Sequence, residues 1–157
     1  MNAKVYIETT VISYLTAHPN RDVVIAGHQK ITRDWWQTCH DKFDLVASQL
    51  VVREASAGDL QAAKDRLERL TTLTLLEVTE EAVALAQELL STGAVPEKAA
   101  EDALHLAIAV TNGVEYLLTW NCKHLANATM RTKIEDVCRS AGYEPVIICT
   151  PEELLEV

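Results

Sequence analysis

Lys4–Leu15 reads KVYIETTVISYL. Its apolar run, Val5 to Ile7, ends on a carboxylate, Glu8, followed by two hydroxyls, Thr9 and Thr10. The pattern suits a buried first strand that carries an acid to its C-terminal tip. In sheets of alternating strands and helices, ligands bind outside the carboxyl ends of the strands, so an ionisable group there ranks first among functional candidates. Three more polar groups can join it: Glu54, Asp102 and Asn121.

Working outward, short apolar segments at Lys4–Glu8, Asp44–Ser48, Leu73–Val78, Glu115–Trp120 and Pro145–Thr150 alternate with helical patterns. That alternation predicts an α/β fold with a parallel sheet of four to five strands and covering helices. Val24, Ile25, His28, Ile31, Trp35 and Thr38 recur at helical spacing, which predicts an amphipathic helix from about Arg21 to His40 starting near Asp22. Of the adjacent Trp35 and Trp36, periodicity sends Trp35 to the core and leaves the other ring for a partner. Leu60, Ala63, Leu67 and Leu70 form a stripe on a helix that opens after Gly58, with Asp59 as N-cap. Thr79, Glu80 and Glu81 start a further helix, whose first-turn acids suit the positive end of its dipole and which runs to about Ser91 before Gly93 stops it. A last helix is expected over Glu97 to Thr111, Ala-rich and nearly all apolar after His105, so it belongs in the middle of the domain.

The chain has 157 residues, of which 48% are hydrophobic, enough for one substantial core, and a single domain spanning 1–157 is expected. No apolar run approaches the roughly 20 residues needed to cross a bilayer, and a lone Lys followed by a strand-like segment does not resemble a secretory leader. A cytoplasmic protein is expected. Cys39, Cys122, Cys138 and Cys149 form no CxxC pair, and buried free thiols are expected of them. The net charge of −9 argues against a general nucleic-acid coating protein, because sequence-independent affinity for phosphates comes from Lys and Arg releasing counterions. A phosphate substrate would need divalent cations held by the surplus carboxylates.

In a doubly wound sheet, Glu8, Glu54, Asp102 and Asn121 can converge on one edge, at the crevice where the strand order reverses. Three carboxylates there repel one another unless a cation compensates them or one takes up a proton. All-oxygen ligation suits Mg²⁺ or Mn²⁺, and such an ion polarises a phosphodiester and lowers the pKa of a bound water that attacks it. Each residue also has a plainer reading. Glu8 can pair with a base at the strand end, Glu54 can be a solvated helical residue beside Arg53, and Asp102 can serve the helix dipole. Glu101 points about 100° away from Asp102 and is expected to pair with His105 one turn on. His105 itself reads better as a hydrogen-bonded core or site-edge histidine than as a ligand.

Taken in order, IETTVISYL, VVREASAGD, EDALHLAIA and LLTWNCKHLAN resemble the PIN-domain family, including the VapC-type toxins of bacterial toxin–antitoxin pairs. The resemblance covers nearly the whole chain. It implies a three-layer α/β/α fold and RNA cleavage with Mg²⁺ or Mn²⁺ held by a cluster of acids. By motif, Glu8, Glu54, Asp102 and Asn121 take the four acidic positions, the first three as metal ligands. Thr9 or Thr10 corresponds to the hydroxyl after the first acid, and Thr119 to the one before the last position. Two residues depart from the pattern. Glu8 stands where the family usually has Asp, and its extra methylene moves the carboxylate in a site where Mg²⁺ holds its ligands at about 2.0–2.1 Å. Asn121 stands where a further Asp is usual, and it can orient a water but supplies no charge. The resemblance implies an endoribonuclease toxin, a homodimer, inhibited by an antitoxin protein. The departures leave open a catalytically silent module that binds RNA or a protein.

Substrate contact falls to Arg53 and Lys123 first, then Lys98, Arg131 and Lys133, with Thr9 and Thr119 lining the site. Trp120 is either a base-stacking platform or a packing residue at a strand end. Cys39–His40 and Cys122 with His124 lack zinc-site spacing, and no P-loop, GxGxxG or nucleophile motif is present.

Overall fold

The computed structural model describes residues 2–155. In chain order the elements are β1 (Lys4–Ile7), α1 (Thr9–Thr16), α2 (Val23–Cys39), β2 (Asp44–Ser48), α3 (Gln49–Ala55), α4 (Leu60–Leu70), β3 (Thr74–Leu76), α5 (Glu80–Ser91), a 3₁₀ turn (Glu97–Ala99), α6 (Ala100–Thr111), β4 (Tyr116–Leu118), α7 (Ala128–Ser140) and β5 (Ile147–Cys149). The strands form one all-parallel sheet in the order β3-β2-β1-β4-β5, flanked by helices in α/β/α fashion. Val5, Tyr6 and Ile7 are all fully buried, as a central parallel strand covered on both faces requires. The chain builds outward from β1 to β3, then returns to lay β4 on the other side of β1. The strand order therefore reverses between β1 and β4, and Glu8 and Thr119 stand at the carboxyl ends of these two strands.

Local chemistry sets the helix starts. The Asp22 carboxylate accepts from the amides of Val24 and Ile25, that of Asp59 from Ala62 at 3.0 Å, and the Thr79 hydroxyl from Ala82 at 3.2 Å. Gly93 closes α5 at φ +76°, a left-handed conformation that glycine adopts without a Cβ clash. Helix α1 was not part of the sequence expectation. Its β-branched residues favour a strand, but burial of Val11, Ile12 and Leu15 decides for helix. Helix α7 was also missed, although Ile134, Val137 and Cys138 bury one narrow stripe.

Several expectations are corrected. Trp36 is not held out for a partner: it is buried, edge-on to Trp35 and stacked on His40 with ring centroids 6.1 Å apart. Leu60 leaves the predicted stripe and is 87% exposed, because it occupies the first turn of α4, beyond the surface that Ala63 and Leu70 cover. Cys122 is exposed, lying in the turn after β4, whereas the other three cysteines are buried free thiols. The segment from Glu97 enters through the 3₁₀ turn, so α6 proper begins at Ala100. No helix among the described residues is long and apolar enough to cross a membrane.

Candidate active site

Glu8 is the N-cap of α1, yet its side chain caps nothing in that helix. Its carboxylate instead accepts from the hydroxyls of Thr10 and Thr119, both on Oε1, the second at 2.6 Å. Glu8 is buried, and among the described residues no base lies within ion-pair reach, which removes the strand-end salt bridge as an explanation. Burial pushes its carboxyl above the ordinary range, and the His105 imidazole and the two threonine hydroxyls only partly oppose that. The same hydroxyls tie the site to its walls. Thr10 Oγ1 accepts from the Trp120 amide and Thr119 Oγ1 from the Asn121 amide, each at 2.9 Å.

Glu54 comes from α3 and is half-buried. Its Oε1 accepts from Thr9 Oγ1 and lies 2.7 Å from His105 Nε2. Burial alone would raise this carboxyl, but hydrogen bonding to His105, Glu101 and Thr9 prevails and brings it down to about 2. Hydrogen bonding to Glu54 raises the exposed Glu101 carboxyl, which also faces Arg53 at 3.6 Å. The expected Glu101–His105 pair does not form, because both nitrogens of the buried His105 are already engaged. Nδ1 meets Tyr6 Oη at 2.7 Å, and Tyr6 Oη meets Ser48 Oγ at 2.7 Å.

Glu8, Glu54 and His105 each bring one potential ligand atom to within 4.8 Å of the others. His105 is a poor ligand despite its position, since Nδ1 and Nε2 are both in hydrogen bonds. The carboxylates are a better donor pair: Thr10 and Thr119 grip Glu8 at Oε1, and Thr9 and His105 grip Glu54 at Oε1. Asp102 does not enter this group. Its Oδ2 lies 3.4 Å from Nδ1 of His124, and both side chains are 19% exposed. Asn121 Oδ1 accepts from the His124 amide at 3.1 Å, so the asparagine shapes the turn after β4.

The predicted substrate contacts divide. Thr119 is fully buried and its hydroxyl holds Glu8, so burial rules out the substrate contact assigned to it. Thr9 likewise holds Glu54. Arg53 is 68% exposed at the rim, and Lys123 and Lys98 are exposed. Trp120 is not a platform for a base: it is buried, its ring stacks on His28 with centroids 4.1 Å apart, and Nε1 donates to Thr32 Oγ1 at 2.7 Å. His105 is the site residue whose full role sequence reasoning missed. Its place one helical turn after Glu101 was visible, but its partners lie 99 and 51 positions away. A cavity of about 660 Å³ lined by Trp36, Phe43, Leu73 and Arg69, among others, contains none of these acids, so chemistry rather than volume locates the site.

No family model matches the chain, and no curated protein matches its sequence. Among solved structures it is similar to VapBC2 from Rickettsia felis, bound to a DNA fragment from its promoter, with TM-score 0.61 and 13% identity over 94% of this chain and 98% of that one. It is similar to Mycobacterium tuberculosis VapC20, described as a sarcin-ricin loop cleaving toxin, with TM-score 0.59 and 15% identity over 88% of this chain and 95% of that one. VapBC-1 from nontypeable Haemophilus influenzae gives TM-score 0.58 and 16% identity over 95% and 98%. At such identities the likeness is one of fold, and the chain has the PIN-like fold of VapC proteins.

Proposed function

We propose that this protein is a Mg²⁺- or Mn²⁺-dependent endoribonuclease, the toxin of a type II toxin–antitoxin pair. The observation that carries the reading is the pair of carboxylates, Glu8 and Glu54, converging at the strand-order switch, each held at Oε1 by two side chains. Glu8, buried and in no ion pair among the described residues, fits a divalent cation, and the donors are the hard oxygens that Mg²⁺ and Mn²⁺ prefer. Glu8 and Glu54 would hold the ion, with Asp102 supporting them as the third acid of the motif. When bound, the ion supplies a polarised phosphodiester and an activated water. The chain's own residues supply the rest. Thr9, Thr10, Thr119 and His105 fix the carboxylates, Asn121 shapes the turn at the mouth, and Arg53 and Lys123 offer rim charge to an RNA backbone.

The fold likeness to VapC and VapBC proteins supports an antitoxin partner and a cytoplasmic setting. Val23 and Val24, 85% and 65% exposed at the start of α2, offer apolar surface for a homodimer. The test is incubation of a mixed single-stranded RNA pool with Mn²⁺, with Mg²⁺ and with chelator, beside Glu54→Gln and Asp102→Ala. Metal-dependent cleavage lost in Glu54→Gln supports the nuclease.

One observation favours a second reading, a silent RNA- or protein-binding module: His124 engages both Asp102 and Asn121, drawing two of the four motif positions away from the carboxylate pair. No cleavage by folded protein under any metal condition would select that module.

A further inference from the structure

We propose that Tyr6 and Ser48, which lie beneath the crevice, act with His105 as positioning residues for Glu54: a buried hydrogen-bond chain fixes the proton on Nε2 of His105 and aims that N–H at the carboxylate. The proposal rests on the metal-site reading above for its functional consequence, and on geometry alone for the chain itself.

The two ends of the chain set its direction. At one end, the backbone amide of Val51, which can only donate, meets Ser48 Oγ at 3.3 Å. At the other, Glu54 Oε1 already accepts from Thr9 Oγ1 and takes the Nε2 contact as well. Between them stand Ser48 Oγ, Tyr6 Oη and both nitrogens of His105, joined by three contacts of 2.7 Å. In one arrangement every proton finds an acceptor: Ser48 donates to Tyr6, Tyr6 donates to Nδ1, and Nε2–H donates to Glu54. With the only ring proton on Nδ1, a bare Nε2 would face a carboxylate, two acceptors 2.7 Å apart. With protons on both nitrogens, Nδ1 donates to Tyr6 and Tyr6 to Ser48, and the Ser48 hydroxyl proton has no acceptor among the described residues. Bulk solvent does not reach that proton, since Ser48 and Tyr6 are fully buried and His105 is 1% exposed.

The consequence falls on Glu54. Thr9 from α1 and His105 from α6 grip the same oxygen, so the carboxylate of α3 is fixed in rotation about its own bond. Tyr6 and Ser48 extend that grip into β1 and β2, the rigid middle of the sheet. Outer hydrogen-bond partners of metal-holding groups act in this way, setting tautomer and orientation without touching the ion.

The decisive experiment reads the ring nitrogens of His105 by ¹⁵N NMR in the metal-free protein, then Mn²⁺-induced thermal stabilisation and the kcat and KM of RNA cleavage. The expected wild-type result is a bare, hydrogen-bonded Nδ1 and a protonated Nε2. Tyr6→Phe is expected to lose the fixed pattern, weaken Mn²⁺ binding about tenfold and lower kcat rather than raise KM. His105→Gln, which keeps a side-chain N–H near the Nε2 position, is expected to retain most of the Mn²⁺ affinity that His105→Leu loses. A wild-type ring protonated on Nδ1 overturns the proposal without recourse to any variant. So does a folded Tyr6→Phe with wild-type Mn²⁺ affinity and kcat. Wild-type protein that takes no Mn²⁺ and cleaves nothing overturns the function reading, and the ring nitrogens still report on the chain separately.

Discussion

Thr119 and Glu8 lie 111 positions apart in sequence, and the Thr119 hydroxyl donates to the Glu8 carboxylate at 2.6 Å. The contact exists because β4 pairs in parallel with β1, Leu118 opposite Ile7, which brings the residues after both strands to one edge. The candidate site is therefore assembled by sheet register.

Thr119→Val keeps the shape of the side chain and removes the donor. Leaving a buried carboxylate short of a hydrogen bond is expected to cost about 1–3 kcal/mol of stability. Urea unfolding of metal-free protein checks this, with Thr119→Ser expected to lose only about 0.8 kcal/mol, the buried methyl alone, because the donor is retained.

Glu8 should make the metal-free fold more stable in acid. Its folded carboxyl is raised by burial, so the folded state binds a proton that the unfolded state releases. Stability from this group is full below the ordinary carboxylate range and lost as pH rises through the raised folded value. Glu8→Gln is expected to abolish that slope and to melt higher than wild type at pH 7 without metal. Melting temperature against pH, with and without Mn²⁺, decides it, since Mn²⁺ should stabilise wild type alone.

Glu54 should act in the opposite sense. Held down to about 2, its carboxylate contributes stability at neutral pH that disappears as pH falls from the ordinary range toward that value. In Glu54→Gln the acid limb of the stability profile should flatten between those limits. RNA cleavage should drop by about 100-fold or more, at or beyond the upper end of what removal of an outer-shell partner costs.

Trp120→Ala should be a stability variant. The ring lies on His28 and its Nε1 bonds Thr32, so truncation is expected to cost about 3–5 kcal/mol. Trp120→Phe keeps an aromatic face and should leave the KM for RNA unchanged; a tenfold rise would restore the base-stacking role.

Much of the fold was legible in local chemistry. Five apolar runs gave five strands, and Asp22, Asp59 and Thr79 marked helix starts because capping depends on neighbours two and three residues on. What escaped depended on distant partners. Helix α1 forms against the propensity of its β-branched residues, and Trp36 is buried by packing that a period of 3.6 does not describe. In the site, Glu8 and Glu54 were visible as acids in motif, and the structure brings them together. The engagement of Asp102 by His124 and the link from Tyr6 to His105 were not visible, since each joins segments that meet only when the sheet is built.

The most direct measurement is the anomalous difference density of a Mn²⁺-soaked crystal, collected for wild type and for Glu8→Gln. The account predicts a peak between the carboxylates of Glu8 and Glu54 in wild type and its loss in the variant. A wild-type crystal with no peak there, from protein that still cleaves RNA in Mn²⁺, would contradict it.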